Sequence, residues 1–154
     1  MKEQEKNQSI FFSLLLISLL LHACGNKKSE VSPKDAELAE FQLKNGIGPV
    51  TKPIKLEDEL DPAMIERGKE VFELRCSACH YLNSRYIGPP LGNIVDVRTP
   101  AYIMNMTLNP SEMIERHPIA QGLYEEYSTR MTDQNISKKD ARAIVEFLAQ
   151  KARE

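Results

Sequence analysis

Five consecutive residues carry the densest chemistry in the chain: Cys76-Ser77-Ala78-Cys79-His80. Three kinds of site use a pair of cysteines at this spacing. A thioredoxin-like thiol centre needs βαβ patterning around the motif, and none surrounds residue 76. A structural zinc site usually needs four ligands, and His117 is the only other candidate in the mature chain. The third is the C-x-x-C-H signature of covalent haem attachment. Two thiols on one helical turn can each add to a haem vinyl group. The histidine that follows then offers a ring nitrogen to the iron. The pentapeptide therefore points to one haem c, bonded through Cys76 and Cys79, with His80 as proximal ligand.

The remaining composition is compatible with that chemistry and excludes others. A chain of 154 residues leaves room for one small domain. Its formal charge of −2, with no cluster of Lys and Arg, gives no footprint for nucleic acid. There is no Trp and little aromatic content, so a flat cofactor would supply apolar volume that the side chains lack. Three cysteines in an exported chain do not pair off as disulfides. Two on haem and one on lipid account for all of them.

The lipid is inferred from the N-terminus. Lys2 and Lys6 precede an apolar run from Ile10 to Leu21, although Glu3 and Glu5 make this leader less positive than usual. The run is short for a bilayer span and has the size of a secretory signal's apolar region. Leu21-His22-Ala23-Cys24 follows and resembles the bacterial lipobox. That resemblance implies a signal peptide over 1–23 and a lipidated Cys24 that anchors the protein to a membrane. Residues 24–60 are rich in Lys, Glu, Asp, Pro and Ser, with room for a short helix over 36–44. They read as a flexible tether ahead of a domain over 61–154.

Helix signals bracket the haem motif. Asp61-Pro62 reads as an N-cap with Pro at the first helical position. Met64, Gly68 and Phe72 then form one helical stripe. Ser137 to Asp140 reads as a capping box, followed by Ile144, Phe147 and Leu148 at helical spacing. Thr99-Pro100 and Asn109-Pro110-Ser111-Glu112 are two further helix starts. Gly68 inside a helix costs about 1 kcal/mol against Ala, which a close helix crossing would offset.

With these residues in view, the region from Asp61 onward resembles the small monohaem cytochromes c. Arg67 to Phe72 is similar to the first helix of that family, and Ala141 to Gln150 to the last. The resemblance implies an all-α fold, three to five helices around one haem, with the two helices crossing at Gly68 and Phe147. Gly88-Pro89-Pro90-Leu91 is similar to the loop after the haem motif. It implies that the Pro89 carbonyl accepts the His80 N–H and that Leu91 packs on the haem. Arg98 and Tyr102 are implied near the propionates.

The distal ligand implied by the resemblance is Met131, on the loop before the last helix, although Thr132 stands where the family often has Pro. Met104, Met106, Met113 and His117 remain alternatives. A Met on a helix is more often core filler. His117 precedes Pro118 and reads as a solvent-facing or capping residue. With both axial positions filled, the expectation is an electron carrier and not an enzyme. It would have redox protein partners, weakly and transiently bound, and no small-molecule substrate. Residues 103–118 and 131–135 also resemble lipoprotein cytochromes encoded beside nitrous oxide reductase. A five-coordinate haem acting as peroxidase or gas sensor is the rival reading.

Overall fold

The computed structural model describes residues 32–154. The signal peptide, Cys24 and the first part of the expected tether lie outside these residues. Among the described residues there are seven helices and no strand: α1 (Pro33–Asn45), α2 (Pro62–Arg75), α3 (Ile94–Val97), α4 (Pro100–Leu108), α5 (Pro110–Arg116), α6 (Pro118–Tyr127) and α7 (Lys138–Ala152). No described helix is long and apolar enough to cross a membrane. The all-α expectation holds. The additional elements are short helices of 4 to 10 residues between α2 and α7, and α1 ahead of them.

Proline sets where most helices begin. It occupies the first helical position of α2, α4, α5 and α6, where its missing N–H costs nothing. Asp61 accepts from the amides of Ala63 and Met64, and Thr99 from Tyr102, as their caps require. Ser137 caps α7 by accepting the Asp140 amide, and its hydroxyl donates back to the Asp140 carboxylate. The expected capping box at Asn109 does not form. Asn109 already ends α4, and its side-chain amide donates to Glu112 and to the Ile47 carbonyl.

The core is built on the crossing of α2 and α7. A methyl group on Gly68 would lie 2.0 Å from the Ala143 carbonyl oxygen and 2.9 Å from the Phe147 Cβ. The two backbones touch at this point, and only glycine permits it. Phe72 packs on Phe147 with ring centroids 5.3 Å apart. Arg67 bonds Asp140 across the same junction at 2.8 Å, and this contact holds the Asp140 carboxyl below its usual range.

The structure corrects the tether over the part it describes. Pro33–Glu154 is one compact unit. Gly46, in a left-handed conformation at φ 79°, ends α1 and turns the chain back onto α4. Ile47 and Val50 are buried, and Ile54 and Leu56 pack on the core. Asn105, fully buried on α4, holds this segment. Its carbonyl accepts the Val50 amide at 2.9 Å, and its NH₂ donates to the carbonyls of Asn45, Gly46 and Val50. Lys138, Arg142 and Arg153 donate to carbonyls of Pro49, Lys55, Glu57 and Asp58. Residues 46–60 are a strap bound to α4 and α7.

Two outcomes follow. Gly68→Ala forces the α2–α7 crossing apart and destabilises by about 1–3 kcal/mol, read as a lower denaturant midpoint at unchanged slope. Asn105→Ala leaves four backbone groups of residues 45–50 without their partner and costs on the order of 2–4 kcal/mol. Hydrogen exchange should then show residues 45–50 opening before α2 and α7.

Candidate functional site

α2 ends at Arg75, and its last turn delivers the motif. The Cys76 amide donates to Phe72, and the amides of Cys79 and His80 both donate to the Cys76 carbonyl at 3.0 and 2.9 Å. This single tight turn places both thiols and the imidazole on the wall of one cavity. Neither cysteine is in a disulfide. Burial and the neighbouring Cys79 push the Cys76 thiol up to about 11. Redox-active thiols of C-x-x-C centres are shifted the other way, towards thiolate. Among the described residues, no group of three or more His, Cys, Asp or Glu could gather a metal ion.

His80 is held from behind. Its Nδ1 lies 2.9 Å from the Pro89 carbonyl oxygen. A carbonyl only accepts, so Nδ1 carries the proton and Nε2 keeps its lone pair. Burial pushes the His80 pKa down against the opposing pull of that carbonyl. Gly88 is where the loop passes the ring: a Cβ there would sit 2.4 Å from His80 Cε1 and 2.7 Å from Nδ1. The Gly88 amide donates to the Cys79 carbonyl, which ties this loop to the motif.

The remaining walls come from every helix except α1. Phe72, Ile144 and Leu148 of the crossing form one side. Leu91, as expected, lines the cavity beside Pro89. A second apolar cluster also supplies lining residues: Tyr102, Ile114 and Ala120 are buried in it, and Met106 and Met131 pack against it. Tyr102 is 3 % exposed, yet its hydroxyl has no hydrogen-bond partner. Burial raises its pKa, and the nearby Arg98 charge opposes this. Arg98 does not itself line the cavity. Its guanidinium lies 5.5 Å from the Tyr102 ring centroid and donates to the Val97 carbonyl.

The methionines divide sharply. Met113 is fully buried, and its sulfur accepts the Ile47 amide at 3.0 Å. Met104 is core filler, 2 % exposed and away from the cavity. Met106 and Met131 both line it. His117 is a capping residue but not a solvent-facing one, being 1 % exposed. Its Nδ1 accepts the Ile119 amide, and its Nε2 lies 3.2 Å from the Leu43 carbonyl.

One wall went unread in the sequence. Ala120, Leu123, Tyr124 and Tyr127 of α6 all line the cavity, at i, i+3, i+4 and i+7. That period was visible as a helical stripe. Arg85 locks α6 to the loop after the motif. It donates to the Glu126 carboxylate and carbonyl, and its guanidinium stands 3.8 Å over the Tyr127 ring.

A family model described as Cytochrome c matches residues 65–152. The chain belongs to the cytochrome c family. Solved structures agree. A cytochrome c from Rhodothermus marinus is 45% identical, with a TM-score of 0.69 over 73% of this chain and 96% of that one. An engineered form of it, Rma TDE, is 43% identical at a TM-score of 0.69, with coverage of 73% and 97%. A third structure, Rma TDE bound to a carbene intermediate, is 42% identical at 0.67 over 73% and 97%. The comparison with curated proteins gives no match.

This c-type cytochrome carries a covalent haem, and its cavity fits that group. The walls are chiefly apolar, both cysteines line them just past the end of α2, and Gly88 leaves the imidazole the space a Cβ would fill. The unpartnered Tyr102 hydroxyl is a donor suited to a carboxylate, and haem carries two. Gly88→Ala should displace the His80 ring or break its bond to Pro89. The haem-loaded variant is expected to melt at a lower temperature, with a loss of about 1–3 kcal/mol and an altered absorption spectrum.

Proposed function

We propose that this cytochrome is an exported single-electron carrier whose iron is held between His80 and Met131. The observation that carries the reading is the shared cavity: Cys76, Cys79 and His80 line it together with Met131, which packs on the second apolar cluster. The bound haem supplies a one-electron ferric/ferrous couple. The protein's part is to hold both sides of it. The Pro89 carbonyl fixes the imidazole tautomer and raises its basicity. A thioether at Met131 is soft and favours the reduced metal, which raises the potential. Apolar walls keep water and its dielectric away from the metal.

Two filled axial positions leave no site for a substrate, which supports a carrier and not an enzyme. Electrons would pass at the cavity mouth, where Cys79 is exposed. Tyr81 and Tyr86, close to Cys79 in the chain, stack with centroids 4.4 Å apart, and both are exposed, as is the cavity residue Ile87. A patch this small suits the brief, weak contacts of redox partners. The apolar leader and lipobox support export and a lipid on Cys24, which would hold the cytochrome near membrane-bound donors. The resemblance over residues 103–118 and 131–135 supports a terminal reductase as acceptor, nitrous oxide reductase among them.

The test is a redox-titrated spectrum of the matured protein beside Met131→His. The wild-type pigment should stay with the denatured chain and show the weak far-red band of ferric iron bound to a thioether. Met131→His should lose that band and lower the midpoint potential by on the order of 0.1 V, within the roughly 0.8 V that axial ligands command. A band and potential unchanged in the variant would remove Met131 from the iron. A high-spin wild type would point to an open site instead.

A further inference from the structure

The cavity presents two thioethers and not one. Met106 and Met131 both line it and pack on the same cluster, whereas Cys76 and Leu91 pack against the other. Their supports differ. Met106 lies within α4, whose first turn is capped by Thr99 and whose centre is anchored by the four hydrogen bonds of Asn105. Met131 lies in the irregular stretch between α6 and α7. That stretch is bracketed by Ser128 and Asn135, two non-glycine residues in the left-handed region at φ 52° and 50°. Its hydrogen bonds are internal, from Gln134 to Thr132 and from the Asn135 amide to Asp133, save the Ser128 amide on the Tyr124 carbonyl and a 3.5 Å contact from Arg130 to Glu115. Fewer hydrogen bonds tie the Met131 stretch to the rest of the fold than tie α4.

We propose that Met106 is a reserve axial ligand that takes the iron when the Met131 loop opens. The inference rests on Met131 being the resident ligand. In the exchange the Met131 sulfur withdraws its lone pair and the Met106 sulfur donates one in its place. No electron or proton moves, so the iron stays six-coordinate and closed to small ligands. Met104, two residues away in sequence but buried in the other cluster and outside the cavity lining, cannot substitute.

The test uses the full-length, haem-loaded protein and three variants: Met131→Ala, Met106→Leu and the double. Met106→Leu should keep the wild-type far-red band. Met131→Ala should retain a thioether band, shifted or weakened, and the double variant should lose it and turn high-spin. Loss of the band in Met131→Ala, as complete as in the double variant, overturns the reserve role and leaves Met131 as the ligand. Loss in Met106→Leu alone overturns both assignments. Imidazole titration of wild type against Met106→Leu keeps the native loop and needs no variant at Met131. Recapture by Met106 predicts imidazole binding at least about threefold tighter in Met106→Leu, and equal affinity overturns it.

Discussion

Everything at the haem site hangs on the absence of one methyl group. Gly68 lets α2 and α7 meet backbone to backbone, with the Ala143 carbonyl in the space a Cβ would take. Once that contact is made, Asp61 at one end and Phe72 beside Phe147 fix the register of α2. The position of Cys76 then follows, because it is the residue at which α2 ends. The same crossing supplies Ile144 and Leu148 to the cavity wall. Packing and cofactor geometry are thus one constraint. Two thiols can meet a rigid ring at two points only if the turn that bears them is itself held still.

Local chemistry was legible, and long-range chemistry was not. Asp61, Thr99 and Ser137 announced helix starts because a cap needs only a short acceptor two or three residues ahead of the amide it serves. Asn109 had the same appearance and failed. It is shared between the end of α4 and the start of α5, and its amide was taken by Glu112 and the Ile47 carbonyl, 62 residues away. His80 and Pro89 were paired correctly through family resemblance, while spacing alone would not have joined them. His117 was read as solvent-facing or capping, and the structure makes it a buried cap. Its Nε2 meets the Leu43 carbonyl, 74 residues earlier, a contact that local sequence does not announce. The wall of α6 was legible in principle, since its cavity residues keep a strict helical period.

The strap shows why composition misleads. Residues 46–60 are polar enough to read as linker, yet a strap needs few apolar anchors if its backbone is satisfied elsewhere. Here Ile47, Val50, Ile54 and Leu56 supply the anchors. Asn105, Lys138, Arg142 and Arg153 supply the hydrogen bonds, from 55 to 96 residues away. Those donors carry no mark in a sequence that distinguishes them from ordinary surface residues. α4 is buried on nearly every side for this reason. Asn105 faces the strap, while Tyr102, Ile103 and Met106 face the cavity. The family model begins at residue 65, so α1 and the strap lie outside it although they brace the same helix.

Docking this segment changes the reach of the proposed anchor. A flexible tether over 24–60 would extend to roughly 130 Å at about 3.5 Å per residue. With α1 beginning at Pro33, only eight residues, 25–32, separate a lipidated Cys24 from the compact unit. Fully extended they span at most about 30 Å. The effective concentration of a tethered domain at a partner in the same membrane falls steeply with linker length. With the proposed lipid on Cys24, a span this short would suit partners whose redox centres lie near the membrane surface and disfavour those held far above it. The segment that first looked like slack is the part of the chain that removes it.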